Sequence, residues 1–383
     1  MGPLEGTRII ELAGIGPAPF GAMLLSDLGA DIVTVHRTSV VGDSTQDPVA
    51  AMSQGTLARG RRSIAVNLKD PQGQATILDM MSQADAFIEG FRPGVAERLG
   101  LGPDTCLERN PALVYGRMTG WGQEGPLARA AGHDINYIAL AGVLAHVGRR
   151  GESPVPPLNL VGDFGGGGLL LALGIVAALF EAQRSGQGQV VDTAMVDGSA
   201  LLMSMMYELM GRGQWDARRE ANMNDGGAYF YEVYETADNK YVSIGAMEPK
   251  FFADLLRRMG VNPSDLPEQW DSSQWQEGKK RMAELFRKKT RQQWCELLEG
   301  TDACFAPVLT MSEAIRHPHN RQRGVFMDVG GSVQPAPAPR FSRTPASVQR
   351  PAAQPGEHTT EVLSEMGFDD GRIEFLYHEG VIA

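Results

Sequence analysis

Through its N-terminal half the sequence alternates β-rich runs with stretches of helical apolar spacing, and no other feature limits the fold so strongly. Thr7–Leu12, Asp31–Val35, Ala86–Glu89 and Leu113–Met118 read as strands, and Pro19–Leu28 and Pro71–Ser82 as helices. Gly165–Arg184 predicts a long helix closed by Gly186 and Gly188, then a strand at Gln189–Thr193 and a helix from Val196. Strands that alternate with helices bury both faces of a mostly parallel sheet, so the expected class is α/β.

The pattern changes near residue 220. Ala228–Thr236 and Lys240–Ala246 are β-rich runs separated by Ala237-Asp238-Asn239, a hairpin signal. Helical patterns follow at Pro249–Met259, Gly278–Lys288 and Arg291–Leu298, so a smaller α+β domain is expected here. Gln334–Pro355 carries six prolines, which resist helix and sheet and favour an extended connector. Thr359–Gly367 then predicts a short helix. The expected division is 1–215 for a large domain, 216–330 for a small one, and 331–383 for a connector and C-terminal helix returning to the large domain.

A chain of 383 residues, 43% apolar and 21% charged, has the composition of a globular protein with room for these domains. Its 46 acidic and 35 basic residues leave a net charge of −11. That balance disfavours a nucleic-acid partner but permits a local basic patch. Three cysteines without a CxxC argue against a disulfide framework or a metal site, and fit a reducing compartment. Met1–Asp31 lacks a charged leader, and Gly380–Ala383 is not an address of the Ser-Lys-Leu type. The apolar run Leu169–Phe180 is too short to cross a bilayer, so a buried helix, no membrane partner and a cytoplasmic location are expected.

Five motifs hold candidate chemistry. Gly14-Ile15-Gly16-Pro17-Ala18-Pro19 nearly matches a dinucleotide fingerprint, but Pro19 replaces its third glycine, and His36-Arg37 close the second strand without an acidic residue. A glycine turn opening a helix is the better reading. Arg59, Arg61 and Arg62, with Arg37, Arg92 and Arg98, either cradle phosphates or are solvated surface charge. Ala131–Tyr137 crowds His133, Asp134, Asn136 and Tyr137 into a loop opening a helix after a strand end, where open α/β sheets keep their chemistry. Asn159–Gly168 sets Asp163 before four glycines, whose bare backbone could face a ligand and hold a developing negative charge. Glu248 before Pro249, read alone, is a helix-start carboxylate. Met203, Met206 and Met210 fall at helical spacing and suit either an acyl-chain surface or a helix core.

Taken in order, Ser26–Ala30, Glu89–Gly94, Gly116–Gly122, Gly125-Pro126, Gly132–Tyr137 (GHDINY), Pro157–Gly168, Gly186–Asp192, Ala194–Gly198 and Thr301–Cys304 resemble the family III CoA-transferases. The resemblance runs from about residue 3 to His358. GHDINY with Asp225–Ala228 (DGGA) and Gly245–Pro249 (GAMEP) is similar to the family's racemase branch. It implies a Rossmann-like large domain with a smaller α+β domain, in an interlocked homodimer whose active sites lie where the large domain of one chain meets the small domain of the other. It implies an isomerase that inverts the α-carbon of 2-methyl-branched acyl-CoA thioesters, with the acyl-CoA as substrate and no further cofactor. His133 and Asp163 become the two acid/base groups, and Glu248 supports His133. CoA contacts are implied at Arg37, Val66, Asn67, Leu68, Lys69, Gly90, Phe91, Arg92, Arg98, Gly132, Asp134, Ile135, Asn136 and Tyr137. Asn67 stands where the family usually has Asp. In the family's transferase branch Asp163 would instead be a nucleophile.

The chemistry asks for these residue types. The α-proton of a thioester is far less acidic than any side chain, so its removal needs a base and a stabilised enolate oxygen. Inversion needs a second group to return a proton from the opposite face. Backbone N–H groups near the glycine run, that of Asp163 among them, are the expected donors to the oxygen.

Overall fold

The computed structural model describes residues 2–42 and 55–383, in two compact units. The first comprises Met1–Val143, Pro157–Met203 and Gly324–Ala383; the second comprises Leu144–Pro156 and Ser204–Arg323. The chain therefore enters the second unit at Ser204, not at 216, and takes Leu144–Pro156 with it. Arg149 in that segment pairs with Glu232 at 2.5 Å, and Arg219 donates to the Ala145 carbonyl at 3.1 Å.

The first unit is built on six parallel strands: β1 (Arg8–Leu12), β2 (Asp31–His36), β3 (Arg62–Ala65), β4 (Ala86–Glu89), β5 (Val114–Thr119) and β6 (Val190–Ala194). Their order is β3-β2-β1-β4-β5-β6, the doubly wound arrangement in which the sheet reverses direction between β1 and β4. Five of the six were legible as apolar runs. β3 was not, because three arginines precede Ser63 and mask so short an edge strand.

One face of the sheet is covered by the chain's own C-terminal segment. Val362, Leu363, Met366, Phe368, Ile373, Leu376, Val381 and Ile382 share a core with Ile10, Leu12, Val33 and Ile64. The opposite face is covered by the Pro17–Asp27 and Leu169–Ser185 helices, through Ala18, Ala22, Leu25, Leu171, Ile175 and Leu179. The proline-rich stretch begins as a strand, β11 (Ser332–Pro335), antiparallel to β10 (Phe326–Val329), and then runs along the first unit. There Ser347 N–H reaches the Asp27 carbonyl at 3.0 Å, and Gly60 N–H the Arg350 carbonyl at 2.8 Å.

The long helix starts earlier than its 3.6-residue pattern indicated. Leu160–Gly168 is wound wide, with π-type geometry, and runs without a break into Leu169–Ser185. The continuous helix spans 26 residues and is long and apolar enough to cross a membrane, which corrects the expectation that it is too short. Here it packs on the sheet: Leu171 and Ile175 press on β5 at Gly116, where an added methyl group would lie 3.0–3.2 Å from their side chains.

The second unit carries an antiparallel sheet of β7 (Tyr231–Glu235), β8 (Tyr241–Gly245) and β9 (Phe305–Pro307). The expected hairpin is β7–β8, turned at Asn239, whose φ is 53°. The helices Pro249–Met259, Trp275–Phe286 and Arg291–Leu298 close its core around Tyr229, Phe230, Phe286 and Trp294.

Candidate active site

His133 is the residue at which the chain leaves β5's following loop and enters the Asp134–Leu140 helix. Its own backbone is extended, and its N–H is accepted by the Asn136 side chain at 3.0 Å, which fixes the entry. The imidazole is exposed. Asp163 stands in the wide helical segment, half-buried, and the two side chains lie within each other's electrostatic reach. Asn159 donates from Nδ2 to Asp163 Oδ2 at 3.0 Å, and Asp163 N–H donates to Asp134 Oδ1 at 2.7 Å. The carboxylate also rests on Gly16, the residue before the Pro17–Asp27 helix. Gly16 has φ 67°, and a side chain there would begin 3.2 Å from Asp163 Oδ2.

These neighbours set the protonation of Asp163. Burial pushes its carboxyl above the ordinary value and the nearby Asp134 carboxylate pushes the same way; the Asn159 hydrogen bond and the His133 charge pull it down. The net direction is up. A carboxyl held up beside a histidine can carry a proton in one state and take one in the other.

Two sequence readings of this region change. The Asp163 N–H is already engaged with Asp134, so it is not a free donor for an enolate oxygen. Nor do the glycines bare their backbone to a ligand. Gly166, Gly167 and Gly168 are buried. A methyl group on Gly166 would meet Ser199 N at 2.7 Å, and one on Gly168 would overlap the Pro17 carbonyl. The glycines are needed because the Pro17–Asp27 and Met195–Leu202 helices cross this segment backbone to backbone.

At the reversal point of the sheet, outside the carboxyl ends of β1, β2 and β4, lies a cavity of about 1120 Å³. Arg37, Val66, Asn67, Leu68, Lys69, Gly90, Phe91 and Arg92 all line it. Arg98, Gly132, Asp134, Ile135, Asn136 and Tyr137 do not. Asp134 is engaged with Asp163, Asn136 with His133, and Tyr137 is buried over Gly120; Arg98 ends a short helix, Val95–Arg98, beside the cavity. Asn67 serves where an aspartate would, since its Oδ1 accepts the Lys69 N–H at 3.2 Å and folds the loop.

The arginine cluster divides. Arg59 is buried on Asp27 at 2.6 Å, Arg61 on Glu11, and Arg62 on Asp31, Glu361 and Glu365. These three are structural, and Arg62 ties the Thr359–Glu365 helix to β3. Arg37, Lys69 and Arg92 remain for a ligand's phosphates. Sequence reasoning missed Glu89, fully buried, whose carboxylate accepts the Phe91 N–H at 2.7 Å and Arg117 Nε at 2.8 Å and so shapes the Gly90–Arg92 loop. It also missed His36 as a cavity wall. Burial, then the Arg61 charge, push that imidazole down to about 4.

Glu248 lies in the second unit, exposed, at the start of the Pro249–Met259 helix. Its charge and burial raise the thiol of Cys304, burial being the larger cause. The same unit has an open cavity of about 650 Å³ lined by Arg149, Asp225, Tyr231, Glu232, Ile244, Cys304 and Phe305. The methionine pattern is not a core: the Ser204–Gly211 helix buries no residue, and Met205 and Met210 are exposed. Among the described residues no cluster of three or more His, Cys, Asp or Glu could hold a metal ion.

Comparison with known proteins gives this geometry its setting. The chain is 48% identical to the mouse alpha-methylacyl-CoA racemase and 44% to the human one, covering 99% of this chain and 97% of each relative. It is 30% identical to the human succinyl-CoA:glutarate CoA-transferase, over 99% of this chain and 90% of that protein. A CaiB/BaiF family protein from Brucella suis shares the fold, with a TM-score of 0.82 at 24% identity over 95% of this chain and 99% of that one. Rv3272 of Mycobacterium tuberculosis matches with a TM-score of 0.76 at 27% identity, over 94% and 98%. The sequence pattern of one family matches residues 4–359, nearly the whole chain, and on that ground the chain belongs to the CoA-transferase family III.

Proposed function

We propose that the chain is a racemase that inverts the α-carbon of 2-methyl-branched acyl-CoA thioesters by two-base 1,1-proton transfer through an enolate. The observation that carries the reading is the pairing of His133 with a half-buried, upward-shifted Asp163 in the unit that also holds the cavity at the sheet's reversal point. The nucleotide end of CoA fits that cavity, with Arg37, Lys69 and Arg92 meeting its phosphates. In one direction neutral His133 takes the α-proton while protonated Asp163 gives one to the opposite face. In the other the roles reverse, and each turnover leaves the pair ready for the reverse reaction. The CoA thioester is the substrate, and the reaction calls for no further cofactor.

The active assembly is an interlocked homodimer, in which Glu248 of the partner subunit supports His133. One observation favours it. The first unit exposes Leu140, Leu158, Leu160, Leu173 and Phe180, each more than half accessible, apolar surface of the kind a second chain covers.

The reading is tested by incubating a 2-methylacyl-CoA of single configuration in heavy water with no acceptor acid. Deuterium at the α-carbon with loss of stereochemical purity is expected. Absence of exchange, with CoA passing to an added carboxylate, would place Asp163 as a nucleophile and overturn the racemase reading.

A further inference from the structure

An enolate oxygen needs a donor, and the obvious backbone donors of this site are engaged. Asp163 N–H is held by Asp134 Oδ1 at 2.7 Å, and the backbone of Gly166–Gly168 is buried against two helices. A neighbouring side chain that can serve is Tyr137. It follows His133, the residue that caps the Asp134–Leu140 helix, by four positions. Its ring is 6% exposed and stands edge-on to Trp121, with centroids 4.7 Å apart. A methyl group on Gly120 would overlap the end of the ring and its hydroxyl, and one on Gly132 would lie 2.9 Å from Cε1. The phenol is thus clamped against two glycines and a tryptophan, with little freedom left to its two torsions.

We propose that Tyr137 is a third catalytic group, whose phenolic O–H donates to the thioester oxygen while that oxygen carries enolate charge. The proposal rests on the racemase reading. The placement supports it, because the hydroxyl feels both the Asp163 carboxylate and the Arg92 guanidinium, the first in the catalytic pair and the second on the wall of the CoA cavity. Burial, and then the Asp163 charge, hold the phenol above its ordinary value, so it keeps its proton at neutral pH and remains a donor. The step balances without proton loss from Tyr137. The base takes the α-proton, the C–H electron pair becomes the C=C bond, and the C=O π pair moves onto oxygen, where the O–H shares its hydrogen. When the pair returns, the conjugate acid on the other face supplies the new C–H bond.

The test is Tyr137→Phe, which keeps the ring over Gly120 and against Trp121 while removing only the hydroxyl. Exchange of the α-proton and inversion are followed in heavy water beside the wild type, with CoA itself as the binding probe and thermal unfolding as the check on folding. Expected are an unchanged midpoint, CoA binding within about twofold, and a kcat lower by roughly 100-fold, the scale seen when one preorganised oxyanion donor is deleted. Tyr137→Leu, which also loses the clamp, is expected to lose kcat and stability together. A Tyr137→Phe enzyme with kcat within about twofold of wild type overturns the proposal while leaving the racemase reading intact. So does a rise in KM at unchanged kcat, which marks a mere CoA contact. Failure of the wild type to exchange sinks both.

Discussion

Asp163 has neighbours that pull its proton in opposite directions, and each can be removed without emptying the site. Asp134→Asn keeps an oxygen for the Asp163 N–H but deletes the charge that raises the Asp163 carboxyl. Asn159→Ala deletes the hydrogen bond that lowers it. In the direction where Asp163 is the base, activity rises with pH as that carboxyl ionises. The acid limb of kcat/KM should therefore move to lower pH in Asp134→Asn and to higher pH in Asn159→Ala. Profiles measured on each enantiomer separate the two, and a limb that stays fixed in both variants would show that Asp163 does not govern it. His36 gives a second pH effect, on stability. Its folded value near 4 lies below the ordinary 6.5, so the unfolded chain binds the proton more readily. The contribution is complete above 6.5 and is lost as pH falls toward 4; a shift of this size corresponds to about 3 kcal/mol. Urea midpoints across that window should fall less steeply in His36→Asn than in the wild type.

Among the elements, the crossing at the glycine run joins packing to chemistry. Gly168 lies against Pro17 and Gly21 of the Pro17–Asp27 helix, and the same helix start positions Gly16 under Asp163. Gly168→Ala must push the two helices apart. It should cost about 1–3 kcal/mol in a denaturant titration, as overpacking generally does, and lower kcat because Gly16 moves with the helix. An alanine variant of undiminished stability would mean that the crossing has slack. This crossing also marks where sequence legibility ends. The strands β1, β2, β4, β5 and β6 and the β7–β8 hairpin could be read because apolar alternation depends only on local spacing. His133 and Asp163 stood in motifs, and the cavity residues Arg37, 66–69 and 90–92 were implied by the family resemblance. What the glycines are for could not be read, since a bare backbone suits a ligand and a second helix equally, and only the tertiary contact decides. The arginines were ambiguous for the same reason: their partners Asp27, Glu11 and Glu361 are distant in sequence. Glu89 and His36 looked like strand ends; Glu89 gained its role from the loop it holds through the Phe91 N–H, and His36 from the cavity it lines.

At the scale of the whole molecule, the separation of Glu248 from His133 and Asp163 into different units makes the assembly testable by mixing defects. His133→Ala and Glu248→Ala should each depress racemisation, the first by the 10²–10⁴-fold or so typical of a lost acid/base group. Co-expression of the two variants gives a sharper result. If each site combines the large unit of one chain with the small unit of the other, a mixed dimer holds one site with both lesions and one with none. Random pairing makes about half of the dimers mixed, so about a quarter of the wild-type sites are restored. If every site is built within a single chain, each chain carries its own lesion into its own site and nothing is restored. Tagging the two variants differently and purifying the doubly tagged dimer raises the expected recovery to about half of wild type and removes the dependence on mixing. Recovery at that level fixes the site at the junction of two chains; activity no higher than that of the separate variants rejects the interlocked arrangement, whatever the oligomeric state in solution.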